Sequence, residues 1–334
     1  GISGYYSMPQ NKRNPGLEES TISNYTNAAQ KLYNKLIAPV ADKLSKDLII
    51  IPDGILGYLP FEALLTSAPL KEGAFKTYPF LLKKHQISYC YSATLLREMQ
   101  QKQHHKKATN QLLAMAPFFQ GDVHEMVERI DTSELLALRD SLVALPASGE
   151  EVAAIVKILD GTPSYGTGAT LQQFEQLAAD YRILHLSTHG KADDRVGDYA
   201  YLAFGVTDET GTFDRLYARD LYNYTLNADM VVLSACETGI GKLQRGEGII
   251  SLARAFAYAG AKSIFTTLWQ VSDEKTKYLM VYFYKNLKQG QTKDAALRNA
   301  KLEYMDKNNS EALHPFFWAG LIGIGDMSRL SAKE

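Results

Sequence analysis

Cysteine is scarce in this chain, with only Cys90 and Cys236 in 334 residues. Two distant thiols make no disulfide framework, so a reducing compartment, the cytoplasm, is expected. Charge imbalance is also missing: 36 Lys and Arg stand against 37 Asp and Glu, a net charge of −1. That balance gives no electrostatic case for nucleic acid. The one basic run, Lys102-Gln103-His104-His105-Lys106-Lys107, lacks interleaved aromatics and reads as a solvated linker. The longest candidate membrane stretch, Phe316 to Gly325, is too short to span and rich in glycine, so no membrane association is expected. There is no initiator Met before Gly1-Ile2-Ser3. The chain is therefore expected to be a piece of a longer protein, from which a signal peptide or upstream module could have been removed. No repeat at solenoid periods is visible.

What is present is ordinary globular composition, 46% apolar and 22% charged, at a length that suits two domains or one large one. Residues 1–20 are polar and read as a poorly ordered lead-in, and 329–334 as a tail. Helical periodicity runs from Tyr25 to Leu44, with Pro39 as a break. Short strands are expected near Asp47 to Ile51 and His85 to Tyr91, with a helix from Ala93. The polar stretch from Gln100 to Asn110 sets a domain boundary, dividing 21–108 from 109–328. Beyond it strands and helices alternate. Strands are expected at Gln111 to Ala116, Arg182 to Thr188, Met230 to Ala235, Ala261 to Leu268 and Phe316 to Gly323. Between and after them fall helices from Ser148, capped with Glu151, from Thr170, from Gly248, from Ser272 and from Thr292. This alternation implies an α/β fold, a mostly parallel sheet covered by helices on both faces.

Two strand ends carry chemistry. His189 and Cys236 each follow an apolar strand, where open α/β sheets gather ligands and catalytic groups. A thiol there is accessible to a base and a substrate, although a Cys in such a fold is also a common small core residue.

The flanking residues resemble a known family. Leu186-Ser187-Thr188-His189-Gly190 and Val232-Leu233-Ser234-Ala235-Cys236-Glu237-Thr238-Gly239 are similar to the two signature strings of CHAT domains, caspase-like cysteine peptidase modules related to caspases and separases. The likeness continues through Gly246-Glu247-Gly248, Ala253-Arg254-Ala255-Phe256, Ala259-Gly260-Ala261, Leu268-Trp269-Gln270-Val271-Ser272-Asp273 and His314-Pro315-Phe316-Phe317-Trp318-Ala319-Gly320. Upstream, Ile51-Pro52-Asp53-Gly54 and Leu59-Pro60-Phe61-Glu62-Ala63-Leu64 resemble the family's amino-terminal part, so that the match covers nearly all of 25–325.

The resemblance implies an active caspase-like peptidase domain preceded by a pseudo-caspase-like subdomain. It also implies hydrolysis of a protein substrate through a Cys236–His189 dyad. His189 would take the thiol proton, and the backbone N–H groups of Gly190 and Cys236 would form the oxyanion hole. Neither a metal nor a cofactor is called for. The switch would be a regulatory partner or an upstream tetratricopeptide-repeat module, and family members carrying such repeats include peptidases of bacterial defence and programmed death. The Leu268 to Asp273 string is also similar to one in separases, where the matching aspartate lines S1. Carried over, Asp273 would face a basic P1 residue and Trp269 would wall the adjacent subsite. Asp273 also suits a plain helix N-terminus. Metacaspases place an Asp two residues before the nucleophile, where this chain has Ser234.

Other signals are weaker. Cys236-Glu237-Thr238-Gly239-Ile240-Gly241-Lys242-Leu243 misses the first Gly and the last Ser or Thr of a phosphate-binding loop. Gly166-Thr167-Gly168 lacks the third glycine of a dinucleotide fold. Zinc held by His185, His189 and Cys236 fails on reach, because four residues of strand span roughly 13 Å. His185 and Cys90 read as core residues and His314 as a packing residue, while His124 has no evident partner. The loop from Glu237 to Gly248 resembles an activation segment or a plain connection, with Lys242 and Arg245 as candidate self-cleavage points. The competing function is a catalytically silent caspase-like scaffold for interaction.

Overall fold

A computed structural model of the chain describes residues 15–104, 106–119, 145–191, 197–206, 213–234, 247–269 and 273–330. The first helix, α1 (Pro15–Leu36), gives way to a 3-10 turn over Ala38–Lys43, as the missing N–H of Pro39 requires. Then come β1 (Asp47–Ile50), β2 (Gln86–Tyr89), α2 (Ala93–Gln101) and β3 (Asn110–Ala116), followed by α3 (Pro146–Leu159), β4 (Thr162–Tyr165), α4 (Leu171–Leu177) and β5 (Tyr181–Ser187). A small antiparallel sheet of β6 (Gly190–Lys191), β7 (Tyr201–Val206) and β8 (Phe213–Tyr217) follows, then α5 (Ala218–Leu221), β9 (Met230–Ser234), α6 (Glu247–Ala259), β10 (Ser263–Thr267), α7 (Asp273–Lys288), α8 (Lys293–Lys307) and β11 (Leu321–Gly325).

Eight strands form one sheet in the order β1-β2-β11-β10-β9-β5-β3-β4. Every neighbouring pair is parallel except β10 with β11. The sheet is thus a five-strand parallel block, from β4 to β10, joined at one antiparallel seam to a three-strand block of β11, β2 and β1. Strands from both sides of residue 109 lie in this single sheet.

Strand alternation divides the core in two. Leu184, Leu186, Val231, Leu233 and Ile264 point to one face, against Phe174 of α4 and Leu252, Ala253 and Phe256 of α6. Ile183, Met230, Val232 and Phe265 point to the other, against Val152 and Ile155 of α3, Phe283 of α7 and Ala300 of α8. The central strands therefore read as continuous apolar runs, which is why the sequence shows them clearly.

Two local readings are refined. Thr170 caps α4, its hydroxyl accepting the Gln173 N–H at 3.1 Å, as its position suggested. Ser148 does not cap α3. The helix begins at Pro146, whose fixed φ and absent N–H suit a first turn, and the Ser148 hydroxyl donates to the Leu145 carbonyl at 2.6 Å. At the end of α6, Gly260 turns the chain with φ +130°, and a Cβ there would lie 2.1 Å from the Leu226 carbonyl oxygen.

The amino ends of the parallel strands are tied by charge. Asp229, just before β9, accepts from Arg182 Nε and Nη2 at 3.0 and 2.9 Å and pairs with Lys262 at 3.1 Å. The opposite, carboxyl ends lead to the candidate site.

Candidate active site

β5 and β9 are adjacent and parallel, with Ile183, Leu184, His185, Leu186 and Ser187 registered on Met230, Val231, Val232, Leu233 and Ser234. Beyond the last pair, the Thr188 N–H donates to the Ser234 carbonyl at 3.3 Å. The chain visits β3, moves outward to β4, then crosses back to β5 and on through β9 to β10. Strand order reverses between β3 and β5, and the crevice at such a switch point is where α/β sheets bind ligands.

His189 sits two residues past Ser187 and is 2% exposed. Its carbonyl accepts the Ala203 N–H at 2.8 Å, and the Thr188 hydroxyl donates to the Ala203 carbonyl. Its ring meets Phe118 edge-on, with centroids 4.8 Å apart. Phe118, just past β3, and the whole small sheet after His189 escape a reading of the sequence. The available signal is the alternation in Tyr201-Leu202-Ala203-Phe204 and Phe213-Asp214-Arg215-Leu216-Tyr217.

Gly190 is buried and pairs with Leu202 across β6 and β7. The ladder bond is made by the His189 carbonyl, so antiparallel alternation directs the Gly190 N–H away from β7. A donor aimed there is free of the ladder. Cys236 lies outside the described residues, as do Lys242, Arg245 and most of the loop leading to α6. His124 lies outside them too.

Trp269 follows β10 and is half-buried. Its indole N–H donates to the Phe316 carbonyl at 2.8 Å, its ring stacks on Phe316 at 6.2 Å, and Gly320 leaves room beneath it, where a Cβ would come within 2.8 Å. The turn before β11 is thereby fastened to the end of β10. Asp273 is the first residue of α7.

The remaining candidates resolve as core groups. His185 is fully buried, donating Nε2–H to Glu151 Oε1 at 2.7 Å, with Nδ1 3.0 Å from the Tyr284 hydroxyl. Cys90 is buried beyond β2, its N–H donating to the Ile50 carbonyl at 3.0 Å, and burial pushes its thiol up despite nearby backbone donors. His314 packs edge-on against Phe75 at 5.2 Å and accepts the Phe316 N–H at 3.1 Å; burial lowers its pKa to about 3. Among the described residues no three His, Cys, Asp or Glu side chains gather as a metal site, and no helix is long and apolar enough to cross a membrane.

Comparison with known proteins extends this picture. Tetratricopeptide repeat protein 28 of Mus musculus is 34% identical over 120 residues, 36% of this chain, and its Homo sapiens counterpart is 33% identical over the same span. The matched segment is 5% of those relatives' own length. Among solved structures, the Arg-specific cysteine proteinase gingipain R superimposes with a TM-score of 0.50 at 9% identity, covering 92% of this chain and 67% of that one. At that identity the likeness is one of fold, a caspase-like sheet between helices. The CHAT domain family model matches residues 26–326, from α1 through β11, and with it the ends of β5 and β9. The chain therefore belongs to the CHAT-domain family.

Proposed function

We propose that this chain is a cysteine endopeptidase in which Cys236 attacks the scissile carbonyl of a protein substrate and His189 is its general base. One observation carries the reading: Ser187 and Ser234 are partners on adjacent parallel strands. Residues 189 and 236 each follow that pair by two positions in the sequence, and the two strands that carry the pair lie about 4.8 Å apart. His189 takes the thiol proton, the thiolate adds to the carbonyl, and the tetrahedral oxyanion is held by the backbone N–H groups of Gly190 and Cys236. The imidazolium returns its proton to the leaving amine, and water releases the acyl group with His189 again as base. Glycine at 190 lets the substrate carbonyl approach the backbone closely.

On this reading Asp273, opening α7, selects Arg or Lys at P1, and Trp269 borders the neighbouring subsite. The named relatives are tetratricopeptide-repeat proteins. We infer that the domain works beside such a module, in the cytoplasm, with that module or a partner as its switch. Residues 21–108 then act as a supporting subdomain whose strands extend the sheet of 109–328.

The test is labelling with a cysteine-directed peptide electrophile, read by intact mass. One adduct that disappears in Cys236→Ala and in His189→Ala supports the dyad. Labelling at Cys90, or labelling indifferent to both substitutions, favours the competing reading, a caspase-like scaffold retained for interaction.

A further inference from the structure

The small sheet that follows His189 carries a row of rings seated under guanidinium groups. Lys191 stands opposite Tyr201, and Tyr201 opposite Tyr217, so cross-strand pairing puts the three on one face. Ala203 and Arg215 pair on that same face, where Phe118 and Leu145 cluster with the buried Ala203 and Tyr201 and Phe213 pack against them, while Leu202 and Leu216 fill the opposite, buried face. Arg215 lies over Phe213 at 4.3 Å and over Tyr201 at 5.3 Å. Arg219 lies over Tyr199 at 4.9 Å and Tyr217 at 5.0 Å. Lys191, Arg215 and Arg219 are all exposed.

The row begins at the site. His189 meets Phe118, Phe118 meets Phe213 at 6.2 Å, Phe213 meets Tyr201 at 6.3 Å, and Tyr201 meets Tyr217 at 5.7 Å. We propose that this face docks a carboxylate-rich stretch of the polypeptide substrate, beside the bond the dyad cuts. The proposal rests on the peptidase reading given above and names its substrate class.

Charge complementarity argues for that occupant. Among the described residues Arg215 pairs with no carboxylate. Among the described residues the nearby acids are otherwise engaged or displaced: Asp220 accepts the Tyr217 N–H at 3.3 Å and pairs with Arg219 at 3.7 Å, and alternation turns Asp214 to the opposite face from Arg215. Asp198 belongs to the 3-10 turn Gly197–Tyr199, outside the strands. A guanidinium seated on rings keeps its N–H edge for a carboxylate and loses little freedom when it binds one. Tyrosine and arginine in such company are the residues that dominate protein interfaces. Nucleic acid fits less well, because the chain as a whole has 36 basic and 37 acidic residues.

The experiment uses the full chain carrying Cys236→Ala, so that binding is read without cleavage. Fluorescence anisotropy is measured with two labelled twelve-residue probes of equal length, one glutamate-rich and one lysine-rich, each with one tyrosine, and with an oligouridylate of twelve nucleotides. The glutamate probe should bind, weaken with added sodium chloride, and lose at least about tenfold in affinity in Arg215→Gln and in Arg219→Gln. Arg215→Lys should fall between. Arg254→Gln, which removes a guanidinium seated over Tyr91 elsewhere on the molecule, should change nothing. Equal affinity of the glutamate probe before and after Arg215→Gln overturns the proposal, and so does tighter binding of the lysine probe or the oligouridylate. Failure of the parent chain to cleave any peptide would instead strike at the peptidase reading and leave this binding result standing.

Discussion

Ser187 and Ser234 face each other across two parallel strands, and the amide of Thr188 extends that pairing by donating to the Ser234 carbonyl at 3.3 Å. β5 and β9 thus end level with one another, as the proposed dyad needs. Cys236→Ala and His189→Ala should each lower peptide turnover about a thousandfold or more, because a nucleophile and its base act as a unit. Far-UV circular dichroism should be unchanged in both. Wild-type turnover by Cys236→Ala on any cleaved substrate would remove the nucleophile assignment, and inhibition by a chelator would point to a metal instead.

Asp273 stands at the start of α7. If it lines S1, a substrate library should show Arg or Lys at P1. Asp273→Asn should then cut kcat/KM for those substrates by about ten- to a hundredfold, the size of one charge-assisted contact. A library dominated by aspartate or apolar P1 residues would leave Asp273 as a helix-terminus carboxylate only.

Stability should depend on His314. Burial lowers its pKa to about 3, whereas an unfolded histidine titrates near 6.5. Between those values the unfolded chain binds a proton that the folded chain refuses, so stability falls as pH falls through that window, by up to about 1.4 kcal/mol per pH unit. Urea titrations from pH 7 to pH 4 should show a shallower decline in His314→Gln than in the parent. An identical slope in both would mean that His314 charges inside the fold.

Much of the fold is legible in the residues because the central strands are buried on both faces. Leu184 and Val232, each fully buried, belong to apolar runs that no helix period fits. The small sheet is not legible in the same way. Its strands are half exposed, its rings alternate with charges, and a register shift between Ala203 and Val206 interrupts the pattern. His189 is recognisable from its place after an apolar run and from its neighbours, but Phe118, which packs on it, is far away in sequence and meets it only through the β3–β5 pairing. Glu151 looks like a capping residue because Ser148 precedes it by three; its real partner is on a strand, and no local pattern shows that.

That partner gives the last prediction. Glu151 and His185 are hydrogen-bonded with side chains 2% and 0% exposed, joined by Tyr284 from α7. The three groups tie α3 and α7 to the middle of β5, beneath the end that carries His189. Burial and the neighbouring Glu151 charge push the Tyr284 hydroxyl well up, so it stays protonated and available as a donor. Removing one member leaves the others buried with part of their bonding lost, which costs more than the pair itself contributes. Glu151→Ala should therefore destabilise the chain by about 3 to 5 kcal/mol in urea titration. Glu151→Gln, which keeps an oxygen near Nε2 and gives up only the charge, should cost clearly less. Tyr284→Phe, which removes one hydroxyl, should cost about 1 to 2 kcal/mol. A loss below about 1 kcal/mol in Glu151→Ala would mean that the pocket admits water to His185, and that packing alone holds α3 on the sheet.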